Sequence, residues 1–137
     1  MDVQLKILVV DDEENIRFAV SNILKANNYD VVTVSDGDEA FLEIKKQHYD
    51  FVLCDVKMPK IDGMEFLRAL QRHKIDTTVI MMSAYGNIDA AIEAIKQGAY
   101  DYIPKPFTYP NNSLSRRFSG IAPQFIDTKV LFLRSLL

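Results

Sequence analysis

The stretch ILVVDDEENIR, residues 7–17, decides the fold. Four apolar residues, Ile7 to Val10, run directly into four acids, Asp11 to Glu14. So short an apolar run reads as a buried strand. The pattern after it, with Ile16, Val20, Ile23 and Leu24 on one face, reads as a helix over Glu14–Ala26. Adjacent carboxylates repel one another, so a strand that ends on four of them needs something to offset the charge.

The same alternation recurs outward from this stretch. Leu5–Val10 is the first expected strand and β-branched Val31–Val34 the second. Asp36 is placed to cap a helix whose Ala40, Phe41 and Ile44 share a face. Phe51–Cys54 is a short apolar strand ending at Asp55, and Asp62-Gly63 is a turn leading into a helix with Phe66, Leu67 and Leu70 inward. Thr78–Met82 is the fourth strand. Asn87 or Asp89 opens a helix carrying Ala91, Ile92 and Ile95 and closed by Gly98; Tyr100–Ile103 is the fifth strand, halted by Pro104. Strands written as continuous apolar runs and separated by helices predict a five-stranded parallel sheet covered on both faces, a doubly wound α/β domain. Met81, Met82, Tyr100 and Phe107 read as core, and His48 and His73 fall at helix ends with no chemistry assigned.

In such a sheet the ligand site lies at the carboxyl ends of the strands. The residues there are Asp11 and Asp12, Asp55, Ser83 and Lys105. Each has a bland reading: an acid after a strand is often a helix cap, Ser83 an ordinary turn residue and Lys105 a solvated one. Convergence changes the balance, because neighbouring parallel strands lie only about 4.8 Å apart. Three carboxylates in one crevice call for a cation, and hard oxygen donors suit Mg²⁺, which readily bridges to a phosphate oxygen. Lys105 adds positive charge and Ser83 a hydroxyl donor, a set suited to phosphoryl transfer. Asp55, alone at its strand end, is the natural nucleophile, leaving Asp11 and Asp12 for the metal.

VVDDEENIR, LCDVKMPKIDG, MMSAYG and GAYDYIPKPF, in that order and spacing, resemble the receiver domain of two-component response regulators over residues 5–107. The resemblance implies a flavodoxin-like strand order of 2-1-3-4-5. It implies that Asp55 accepts a phosphoryl group from a phosphohistidine on a sensor histidine kinase. Asp12, Asp55 and the backbone carbonyl of Lys57 would hold Mg²⁺, with Asp11 acting mainly through water. Lys105 would pair with a phosphoryl oxygen, aimed by a cis Lys105–Pro106 bond. Ser83 and Tyr102 would form the switch, the Tyr102 ring moving inward as Ser83 shifts. Lys57 and Tyr85 stand at the positions expected to tune phosphoryl lifetime. A homodimer through the fourth helix and fifth strand, or through the tail, is a further implied partner. SAYGNIDAAIEAIKQGAYDYIPKPF, residues 83–107, is most similar to receivers of the enhancer-binding, ATPase-linked transcription regulators.

Composition agrees with a globular domain. Of 137 residues, 48% are apolar and 26% charged, with a net charge of −3, which gives no reason to expect nucleic-acid binding. Cys54 is the only cysteine, so no internal disulfide is expected. With no signal peptide and no membrane-length apolar run, a cytoplasmic location is expected.

Residues 108–137 differ in character. Arg116, Arg117, Lys129 and Arg134 outnumber Asp127 by three, which leaves residues 1–107 at −6. A receiver domain over 1–107 is therefore followed by an atypical tail in place of the usual fifth helix. The tail reads as a divergent fifth helix, a swapped element, or a frameshift or junction product, the last being favoured by the abrupt change. A Mg²⁺-dependent phosphohydrolase with an aspartyl nucleophile is the competing function, but such enzymes place D-x-D after the first strand and this chain has D-D-E. A flavodoxin-like cofactor binder fares worse, since four acids would repel a phosphate.

Overall fold

The computed structural model describes residues 4–58, 60–84, 88–105, 132–133 and 135–137, without the side chains of Ala84, Ile88, Pro104 and Lys105. The elements are β1 (Lys6–Val10), α1 (Glu14–Ala26), β2 (Asp30–Val34), α2 (Gly37–Lys46), β3 (Phe51–Asp55), α3 (Gly63–Arg72), β4 (Thr78–Ala84), α4 (Ile88–Lys96) and β5 (Asp101–Lys105). All five strands are parallel, in the order β2-β1-β3-β4-β5. The expected doubly wound sheet is therefore present.

Two apolar layers sandwich the sheet because successive strand side chains point to opposite faces. Leu8, Val10, Val52, Cys54, Val79 and Met81 face α2, α3 and α4 with Ala40, Ile44, Phe66, Leu67, Leu70 and Ala94. Ile7, Val9, Phe51, Leu53, Ile80, Met82 and Ile103 face α1 with Val20, Leu24 and Tyr29. Every residue of β3 is buried, as continuous apolar strands of a two-sided sheet must be.

Local chemistry sets the helix ends. Asp36 accepts from the Glu39 amide at 2.8 Å and Asp62 from the Glu65 amide at 2.9 Å, so both act as N-caps. Gly98 follows α4 at φ +107°, a left-handed stop that glycine takes without steric cost.

Four expectations need correction. β4 runs on to Ala84, so Ser83 lies within the strand. Pro104 does not halt β5: it pairs with Ser83 and the strand continues to Lys105, opposite Ala84. An edge strand tolerates proline because only one of its sides must supply ladder donors. Among the described side chains of α4 the buried one is Ala94, while Ile92 and Ile95 are 49% and 48% exposed. Tyr100 is likewise exposed rather than core, whereas Met81 and Met82 are wholly buried. Phe107 lies outside the described residues.

The described end of the tail packs on the α1 layer. Leu133 is fully buried there, Leu136 and Leu137 lean on the same cluster, and the Phe132 ring lies 6.5 Å from that of Tyr29.

Candidate functional site

Three acids behave differently from the two helix caps. Asp11, Asp12 and Asp55 bring one carboxylate oxygen each to within 4.8 Å of one another. Asp11 and Asp55 are buried and Asp12 is exposed, so the cluster opens to solvent on one side. The sheet makes this juxtaposition. Val10 pairs with Cys54, so the residues after Val10 and Cys54 emerge side by side.

Backbone contacts hold the acids in place. The Asp11 amide donates to the Val34 carbonyl at 3.2 Å, extending the β1–β2 ladder by one residue. Its Oδ1 accepts the Glu13 amide at 2.9 Å, and Arg17 Nη1 donates to its backbone carbonyl at 2.6 Å. The Val56 amide donates to Met82 O at 2.9 Å, which ties the turn after Asp55 to β4. The Lys57 amide reaches back toward Asp55 Oδ1 at 3.4 Å, a long contact. The four acids of the opening stretch thus divide. Asp11 and Asp12 join the cluster, Glu13 is the N-cap position of α1, and Glu14 sits in its first turn, where the helix dipole favours negative charge.

Oxygen-only donors this close together fit a hard divalent cation such as Mg²⁺, which takes carboxylates and keeps several waters. Ser83 is buried within neighbouring β4, one residue beyond Met82, which pairs with Asp55. Tyr102 is half-buried, paired with Met81, and packs against the α2–α4 layer. The backbone of Lys105 closes β5 beside Ala84; its side chain, Tyr85 and the Lys105–Pro106 bond lie outside the described residues. Lys57 is exposed beside the cluster. His48 and His73 stand away from it at the feet of α2 and α3.

The residues do not all announce themselves in sequence. Gly63 has a steric role that the Asp62-Gly63 turn signal only hints at. A Cβ there would lie 2.2 Å from the Asp55 carbonyl oxygen and 2.7 Å from Met81 Cε. Its amide also donates to Val56 O at 2.8 Å. Arg17 is a second such residue, since its clamp on the Asp11 carbonyl follows only from the helix start.

The response regulator receiver domain family matches residues 7–114, most of the chain. The protein belongs to that family, the receiver domains of two-component signalling. Among its relatives, the regulatory protein AtoC of Escherichia coli K12 is 37% identical over 74% of this chain and 22% of its own length. The nitrogen assimilation regulatory protein NtrX of Azorhizobium caulinodans is 40% identical over 74% of this chain and 23% of its own. The similarity to receivers of enhancer-binding regulators is thus borne out, and the chain spans about a quarter of these two relatives. Among solved structures, the chemotaxis response regulator CheY4 of Vibrio cholerae superposes with a TM-score of 0.73 at 33% identity, covering 77% of this chain and 89% of that one. The receiver domain of NtrX from Brucella abortus superposes at 0.70 with 38% identity, covering 74% and 86%. No helix among the described residues is long and apolar enough to cross a membrane.

Proposed function

We propose that the chain is a phosphorylation-controlled switch in which Asp55 accepts a phosphoryl group from the phosphohistidine of a sensor histidine kinase. The observation that carries this reading is the buried Asp55 carboxylate, held within 4.8 Å of those of Asp11 and Asp12 at an opening to solvent. An Asp55 carboxylate oxygen attacks phosphorus, the phosphorus–nitrogen bond breaks, and the imidazole leaves with the electron pair. Asp12, Asp55, the Lys57 carbonyl and Asp11 would hold Mg²⁺, which would supply charge neutralisation for the phosphoryl oxygens. Lys105 pairs with one of those oxygens and Ser83 donates its hydroxyl to another. Arg17 clamps the Asp11 carbonyl, and Gly63 lets α3 start close against the Asp55 carbonyl, so both support the backbone that carries the acids.

The modified Asp55 then draws Ser83 toward it, and Tyr102 follows inward across β5, biasing an output surface. Lys57 and Tyr85 set the lifetime by shielding the acyl phosphate from water. The output is transcription control, exerted through a partner or a further domain in the cytoplasm. In this reading residues 1–107 are the receiver and 108–137 a C-terminal tail whose described end packs on the α1 layer through Leu133. A homodimer through α4 and β5 or through the tail is the natural active-state assembly, since Ile92, Ile95 and Tyr100 are exposed there.

Intact mass after incubation with acetyl phosphate tests the reading. One phosphoryl group is gained by the wild type with Mg²⁺, none in EDTA, and none by Asp55→Asn. A gain that persists in Asp55→Asn overturns the assignment of the nucleophile.

A further inference from the structure

A second concave site lies away from the acid cluster, between α2 and α3. The groove has a volume of about 380 Å³ and is lined by Phe41, Leu42, Ile61, Phe66 and Ala69, with charge only at its ends. That volume falls within the range of small-ligand sites, which pair an apolar lining with a few polar groups. Leu42 is 61% exposed although it borders the groove.

The two ends carry opposite charge. Arg72 and His73 stand at the foot of α3, and Lys45 lies 4.6 Å from the centre of the Phe41 ring. The His73 ring meets Phe41 edge-on at 5.0 Å. Asp38 lies at the opposite end, next to Gly37. Neither Arg72 nor Asp38 forms an ion pair among the described residues. An apolar trough with a basic foot and an acidic head matches a molecule of complementary polarity: an aromatic-sized apolar body with one anionic end. A second acidic group would meet Asp38.

We propose that the α2–α3 groove binds a small amphipathic monocarboxylic acid, its ring between Phe41, Ile61 and Phe66 and its carboxylate at Arg72 and His73. The site contains none of Asp11, Asp12 or Asp55. Its upper wall, Ile61, nevertheless belongs to the loop that leaves Asp55, so an occupant presses on the segment that positions the proposed phosphoacceptor.

The test is titration of the ¹⁵N-labelled full chain with 2-naphthoate, 2-naphthylmethanol and 2,6-naphthalenedicarboxylate, followed by amide shifts. Naphthoate is expected to move the amides of Leu42, Ile61, Ala69 and His73 saturably and to bind more tightly than the diacid. Arg72→Gln is expected to weaken naphthoate roughly three- to fivefold, the effect of one exposed charge pair, and to leave the alcohol unchanged. Ala69→Phe, which fills the trough, is expected to abolish binding of both. The proposal is overturned by the absence of saturable shifts in the groove, by shifts confined to other surfaces, by equal binding of mono- and diacid, or by an Arg72→Gln effect that is nil or the same for the alcohol. Concentration-dependent shifts of the groove amides without any probe would assign the groove to a second copy and also overturn it.

Discussion

Neutralising one acid of the cluster is expected to stabilise the metal-free protein while removing its response to Mg²⁺. Asp55→Asn is the sharpest version. At 4.8 Å, two unit charges repel by about 3.5 kcal/mol at an effective dielectric near 20 and by under about 1 kcal/mol in bulk water. Asp11 and Asp55 are buried, so their pair lies toward the upper value; Asp12 is exposed, so its pair with Asp55 lies toward the lower. The substitution therefore removes up to roughly 4.5 kcal/mol of repulsion. Loss of hydrogen bonds to the anion returns about 1.5–3 kcal/mol. The net gain is about 1–3 kcal/mol, a rise of roughly 4–12 °C in Tm for a domain of this size. Urea and thermal unfolding in EDTA measure it. In Mg²⁺ the wild type gains stability by mass action and the variant does not. An Asp55→Asn protein less stable than wild type in EDTA, or one stabilised by Mg²⁺ as strongly, would refute the account of three mutually repelling carboxylates around a cation.

Gly63→Ala places a methyl 2.2 Å from the Asp55 carbonyl oxygen, and backbone there cannot yield cheaply. A loss of about 1–3 kcal/mol in urea unfolding and slower phosphoryl incorporation are expected together. Leu133→Ala empties a fully buried position and is expected to cost about 2–5 kcal/mol, whereas Phe132→Ala, at 53% exposed, is expected to cost under about 1 kcal/mol. Similar small losses at both positions would mean that the C-terminal end contributes nothing to the core. Tyr49→Phe removes the hydroxyl that donates to Glu43 at 2.7 Å, the bond that chiefly lowers the Glu43 pKa. A carboxylate with a lowered folded pKa adds stability above its unfolded pKa and loses it as pH falls through the folded value. The variant is thus expected to be about 1 kcal/mol less stable at neutral pH, with the gap closing in acid. A gap that does not change with pH would refute the link.

Much of the fold is legible because parallel strands buried on both faces must be apolar throughout, and five such runs separate cleanly from amphipathic helices. Asp36 is readable as a cap from position alone, Asp62 only as part of a turn before a helix, and Asp11, Asp12 and Asp55 from the convergence of strand ends. Other features depend on facts that the sequence does not carry. The exposure of Ile92 and Ile95 depends on α4 turning Ala94 toward the core, a choice of face that hydrophobic periodicity does not register. The passage of β5 through Pro104 depends on its being an edge strand, a property of sheet order rather than of local residues. The steric role of Gly63 and the clamp of Arg17 on Asp11 depend on approaches between segments. The α2–α3 groove depends on the space left between two helices, which no linear pattern encodes.

The two ends of α2 are anchored by different physics. At its foot, Glu43 and Gln47 share the hydroxyl of the wholly buried Tyr49, and Lys6 of β1 reaches Gln47 as well. At its head, the Asp36 cap meets Lys60 at 3.6 Å through an exposed lysine, and Gly37 abuts Ile61 so closely that a Cβ would come within 2.7 Å of the Ile61 carbonyl. The foot is a rivet and the head a bearing surface. Displacement of the loop after Asp55 is therefore expected to tilt α2 about its base like a lever, and its signature would be faster amide exchange near Phe41 than near Lys45, both within the hydrogen-bonded turns of the helix.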